Sequence, residues 1–74
     1  MEIITNAREI EKRVKNKIME SCEDHVHMVF TIYSKDYSEI SNYLQENGYE
    51  IDSSDGESFD NIETELLYVD WYRS

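Results

Sequence analysis

Two periods of apolar residues run along this chain, and the changes between them mark its elements. Ile3, Ala7, Ile10, Val14 and Ile18 recur every three or four residues, which places them on one face of a helix. Asn6 is the expected N-cap, with Glu9 three residues on to complete a capping box and Thr5 as the competing cap. Ile4, just outside, can pack back on the first turn. The period is lost from Glu20 to Glu23, where acids gather at the end of the helix that disfavours them, so fraying is expected there.

From His25 the period becomes two. Val26, Met28, Phe30 and Ile32 alternate with His25, His27, Val29, Thr31 and Tyr33, which predicts a strand. Its second face is not purely polar, as in an interior strand or a sheet whose far side is covered. A second helix starts at Ser34 or Asp36, the latter with Glu39 in a capping-box pattern. It carries Tyr37, Ile40 and Leu44 on its apolar stripe, with Tyr43 beside it, and stops at Asn47-Gly48. Tyr49, Ile51 and Ser53 alternate with Glu50 and Asp52 in a short strand. Asp55-Gly56 is expected to open a turn, and Glu57 to Asn61 reads as an acidic loop anchored by Phe59. The last strand runs from about Ile62 to Tyr72, with Leu67, Val69 and Trp71 on one face and Leu66, Tyr68, Asp70 and Tyr72 on the other.

The order α-β-α-β-β gives an α+β fold, a two-layer α/β sandwich in one domain, residues 1–74. The strand–helix–strand crossover makes the first two strands parallel. The third, a hairpin partner of the second, pairs between them or outside the second. Its long two-sided apolar run favours the middle, giving a three-stranded mixed sheet with both helices on one face. The other face would then carry Val29, Thr31, Tyr33, Leu66, Tyr68 and Tyr72, too apolar for a fully solvated surface. Two accounts fit: a sheet-to-sheet homodimer joined through Val29, Tyr33, Tyr68 and Tyr72, or a docking site for another protein.

Charge sharpens this picture. The net charge is −10, but residues 1–35 hold six acids and six bases, whereas residues 36–74 hold eleven acids and one base, Arg73. A field of that sign repels nucleic acid and anionic membranes and attracts basic surfaces. Glu11–Lys15 is a pair at i, i+4, so the basic stretch Arg8 to Lys17 reads as a solvated face rather than a nucleic-acid helix. No apolar run approaches the ~20 residues that span a bilayer. The single cysteine, Cys22, fits a reducing cytoplasm. With 74 residues, the chain buries only about 60% of its unfolded surface, a thin core that an oligomer could extend.

The chemistry of catalysis is sparse. His25 and His27 lie on one side of a strand near Cys22, Glu23 and Asp24, but the spacing matches no strong zinc pattern. The stretch DSSDGESFDNIE fails as a calcium loop, since Gly56 at the turn puts Ile51 and Ile62 at the end ligand positions. The only glycines, Gly48 and Gly56, make no phosphate loop, and no nucleophile–base–orienter set is readable. No catalytic residue, metal or cofactor is therefore assigned. The positive signal is the row Glu50, Asp52, Asp55, Glu57, Asp60, Glu63 and Glu65, extended by Glu39 and Glu46. Carboxylates on rigid elements can imitate a phosphate backbone and occupy a basic groove of a nucleic-acid-binding protein.

ISNYLQENGYEI and LLYVDWYRS, through Leu44, Gly48, Tyr49, Ile51 and Trp71, resemble a group of small phage-encoded proteins. These share a leading amphipathic helix, a strand, a helix ending in a Gly-Tyr strand start, and a closing strand with tryptophan. The resemblance spans most of the chain, and no functional residue carries over from it. It implies a context: accessory proteins that bind and inhibit host or defence machinery in the host cytoplasm, some anti-CRISPR and anti-restriction proteins being similarly small and acidic.

Overall fold

The computed structural model describes residues 2–73. Helix α1 (Ala7–Glu20) and strand β1 (His25–Tyr33) are followed by a 3-10 turn at Ser34–Asp36 and helix α2 (Tyr37–Glu46). Strands β2 (Glu50–Phe59) and β3 (Ile62–Tyr72) form the closing hairpin. The sheet order is β1-β3-β2, so the last strand lies in the middle, as its two-sided apolar run predicts. With β3 between the two strands whose direction it opposes, both ladders are antiparallel. The mixed character expected of the sheet is confined to an isolated parallel bridge, Ile3 with Thr31, at the outer edge of β1.

That bridge corrects the helix start. Ile3 is not on the α1 stripe; the chain runs extended beside β1, where the Ile4 amide donates to the Thr31 carbonyl at 2.9 Å and the Ile4 side chain is buried. Asn6 caps α1 through the Arg8 amide at 2.8 Å. The capping box does not close, because the Glu9 carboxylate turns to Arg13 instead. Asp36 likewise makes no side-chain cap to α2. Gly48 ends α2 at φ +92°, a conformation that glycine adopts without steric cost.

Both helices cover one face of the sheet. Ile10 and Val14 of α1 and Ile40 and Leu44 of α2 pack with Phe30 and Ile32 of β1 and Leu67 and Val69 of β3. Six of these are fully sequestered: Ile10, Val14, Ile32, Leu44, Leu67 and Val69. Burying such a side chain stabilises by about 1.5–3 kcal/mol. Tyr49 is also buried, which raises the pKa of its phenol, with Glu11 nearby adding to the effect.

The hairpin departs from the expected loop. Strand pairing continues through Phe59, and the turn is the two-residue step Asp60-Asn61, both at positive φ (48° and 65°). Asp and Asn tolerate that region because their short side chains hydrogen-bond locally. Gly56 makes no turn. The register shifts between Asp55 and Ser58, and at Gly56 a Cβ would lie 2.7 Å from Thr64 Oγ1 and 2.8 Å from the Thr64 carbonyl oxygen. Glycine is needed there for close approach of two strands. Phe59 is no anchor either, being 39% exposed.

Candidate functional site

The register assigns each acidic residue to a face. Side chains alternate along a strand, so Glu50, Asp52 and Ser54, paired with Asp70, Tyr68 and Leu66, lie on the face away from the helices. Asp55 and Glu65 are direct cross-strand partners on the opposite face. After the bulge, Ser58 pairs with Glu63 and Phe59 with Ile62, so Glu63 joins Glu65 while Phe59 and Ile62 join Tyr68. Glu57 sits in the bulge and Asp60 in the turn. The seven carboxylates therefore occupy one hairpin but not one face. Glu50 and Asp52 rim the open face; Asp55, Glu63 and Glu65 share the other.

Those last three line a hollow of about 450 Å³ with Ser34, Gly56, Ser58 and Thr64. Thr64 is buried and donates from Oγ1 to the Glu57 carbonyl at 2.5 Å, which clamps the bulge. Glu65 Oε2 is buried without a hydrogen-bond partner among the described residues. None of the seven hairpin carboxylates forms an ion pair among the described residues.

The first half of the chain differs. Arg13 is bidentate to Glu2, at 2.7 and 2.5 Å, and contacts Glu9 at 3.1 Å. These bonds hold the Glu2 carboxyl below the ordinary carboxylate value and raise the Arg13 guanidinium further. Lys15 approaches Glu11 at 3.8 Å, and Tyr43 donates to Glu11 at 3.1 Å, joining α2 to α1. Arg73 closes on Asp24 at 3.2 Å.

A second polar cluster lies on the open face. His25 Nε2 and His27 Nδ1 each stand 2.8 Å from Asp70 Oδ1, so one carboxylate oxygen accepts from both rings. His25 stacks on Tyr72 with centroids 4.4 Å apart, and His27 on Tyr68 at 6.0 Å. Partial burial pushes the Asp70 pKa up, but the bonds from His25 and His27 outweigh it and hold the carboxyl below its ordinary value. The two imidazoles were legible as strand neighbours, and Asp70 as a residue of the same face as Tyr68 and Tyr72. Their meeting follows from the central position of β3, which puts Asp70 opposite His27.

No group of three or more His, Cys, Asp or Glu among the described residues is arranged to hold a metal ion. Cys22 is exposed between α1 and β1. No helix among the described residues is long and apolar enough to cross a membrane.

The expected dimer-face residues Val29, Tyr33, Tyr68 and Tyr72 do lie on one side of the sheet, the side no helix covers. The chain matches no protein-family model, none of the curated proteins and no solved structure, so its functional reading rests on these residues and their geometry.

Proposed function

We propose that this is a non-catalytic acidic interaction protein whose β2–β3 hairpin occupies the basic groove of a nucleic-acid-binding protein, its carboxylates standing in for phosphates. The observation that carries this reading is the lack, among the described residues, of an internal cation for Glu50, Asp52, Asp55, Glu57, Asp60, Glu63 and Glu65. A hairpin that served the fold alone would gain from cross-strand charge pairing. This one sets Asp55 directly against Glu65, an arrangement that costs about 0.2–1 kcal/mol.

The hairpin spreads its charge along its length. Ten residues of β2 span about 33 Å at ~3.3 Å per residue. Seven carboxylates over that length, counted over both strands, give one per about 4.7 Å of axis, against one phosphate per ~1.7 Å of duplex DNA counted the same way. Association driven this way is fast and weakens with salt. In the phage setting that the sequence resemblance implies, such a protein acts as an inhibitor in the host cytoplasm and binds no nucleic acid itself.

The test is capture of a partner from host lysate, followed by affinity measurements across a salt series. Asp55→Lys, Glu57→Lys and Asp60→Lys combined should weaken binding at least tenfold and flatten the salt slope. An unchanged affinity and slope would falsify the phosphate-mimic reading.

A further inference from the structure

The open face of the sheet is a second surface without an internal partner, and it collects most of the exposed apolar residues. Val29 (47% exposed), Phe59 (39%), Ile62 (39%) and Tyr72 (53%) all lie on it by register; of the large hydrophobics left exposed among the described residues, only Met19 lies elsewhere. Along β3 the face reads Ile62, Thr64, Leu66, Tyr68, Asp70 and Tyr72, with half-buried Leu66 and Tyr68 at its apolar centre. Exposed apolar residues gathered on one face of a small protein mark an interaction site.

The β2 side of this strip is acidic. Asp52 is the direct cross-strand partner of Tyr68, and Glu50 that of Asp70. The Asp70 charge is engaged by His25 and His27, so Glu50 and Asp52 are the free carboxylates beside the aromatic strip. Ser54 Oγ meets the Tyr68 hydroxyl at 2.9 Å, holding the phenol towards β2. The one lysine at the face is Lys35, at its far end, 5.6 Å from the centre of the Tyr33 ring.

We propose that this face docks an amphipathic helix of the partner protein, apolar over Tyr68 and Val29 and cationic where it flanks β2. The proposal rests on the reading above that the partner is basic, and it names the part of the partner that is bound. Charge complementarity favours this occupant. A cation on the flank of such a helix reaches Glu50 and Asp52 while its apolar side covers a tyrosine, a residue enriched among binding anchors. Dimensions agree as well. Three strands ~4.8 Å apart make a face about 14 Å wide, and a helix with side chains is about 10–12 Å across. A second copy of this chain fits less well. Each copy carries −10, so a dimer gathers twice that charge, and two sheets stacked ~10 Å apart would bring the uncompensated Glu50 and Asp52 of both copies to one interface.

The test is an NMR titration of the ¹⁵N-labelled full chain with a synthetic Leu/Lys amphipathic helix of about 18 residues. Oligolysine of equal charge and a Leu/Glu helix serve as comparison probes. The Leu/Lys helix should shift the amides of Val29, Leu66, Tyr68 and Asp52 together, and the Leu/Glu helix should shift none. Tyr68→Ala should weaken the Leu/Lys helix at least tenfold without affecting oligolysine, and Val29→Ser, at an exposed position, should act in the same direction. Shifts confined to Asp55–Glu63, or affinities unchanged in both variants, overturn this docking site and leave the acidic-hairpin reading standing. Absence of binding by either cationic probe removes support from both. Sedimentation as a dimer that Tyr68→Ala dissociates assigns the face to a second copy and overturns the proposal.

Discussion

Helix α1 with its flanking segments and the β2–β3 hairpin carry nearly equal numbers of carboxylates and treat them in opposite ways. Residues 2–24 hold six acids, four of which, Glu2, Glu9, Glu11 and Asp24, meet an arginine or lysine. Residues 50–65 hold seven, and none meets one. The packing differs in the same sense. Ile10 and Val14 of α1 are fully buried, whereas no residue from Glu50 to Glu63 is buried. A thin core is thus concentrated under the helices, where Leu67 and Val69 of β3 join it, and the distal hairpin from Asp52 to Glu63 extends from it with little packing beyond the Thr64 clamp. The lesson is that stability and surface charge are assigned to different ends of one small sheet.

The comparison can be broken most sharply in the core. Leu44→Ala should cost about 2–5 kcal/mol, a drop in Tm of roughly 8–40 °C by the usual scaling for a domain of this size. Phe59→Ala, in the hairpin, should stay within about 0.5 kcal/mol. Thermal melts of the two variants would contradict the division if the hairpin change proved the larger. Next comes the bulge, where the distal hairpin packs most closely. Gly56→Ala pushes a Cβ against the Thr64 backbone and should cost about 1–3 kcal/mol, read from urea midpoints.

Smaller effects test the charges. Asp55→Asn removes the cross-strand repulsion with Glu65 and should stabilise by about 0.2–1 kcal/mol at low ionic strength, fading in high salt. Arg13→Gln should shift stability the other way, slightly and with the same salt sensitivity. If neither responds to salt, the electrostatic contrast is without energetic content. The smallest expected change concerns Asp70. Its folded-state pKa is depressed, so its contribution is present above the ordinary aspartate value near 4 and is lost as pH falls through the folded value. Asp70→Asn should flatten that acid limb of the stability curve while changing little at pH 7. An unaltered acid limb would show that the bonds from His25 and His27 do not favour the ionised carboxylate.

Much of the fold is legible in the sequence because the physical signals are strong there. The alternation through β1, the stripe Ile40 and Leu44, the stop at Gly48 and the two-sided run of β3 each follow from burial or backbone freedom. What misleads is the hairpin. Asp55-Gly56 has turn composition, yet the glycine serves close packing against Thr64, and the turn falls on Asp60-Asn61, which contains no glycine. The same bulge offsets the face assignment. Sequence spacing cannot show that Phe59 joins Ile62 and the tyrosines, because the irregular step in β2 reverses the side chains beyond it. Ile3 fits the helical period of α1 and still pairs with β1, since an open strand edge offers its backbone hydrogen bonds.

The central place of β3 has a kinetic consequence. β1 and β2 never touch as neighbours in the sheet; each has only β3 to pair with. Until Ile62–Tyr72 has left the ribosome, a nascent chain therefore holds two strands with unsatisfied edges and helices with only part of a sheet to cover. Pairing β1 with β3 then closes a loop of some thirty residues, a slow kind of step in two-state folding. The acidic residues of β2 are already present during that wait. Unpaired strand edges invite association with other chains, and like charge on every copy opposes it. The same carboxylates proposed to meet a basic partner would thus guard the unfinished sheet during synthesis.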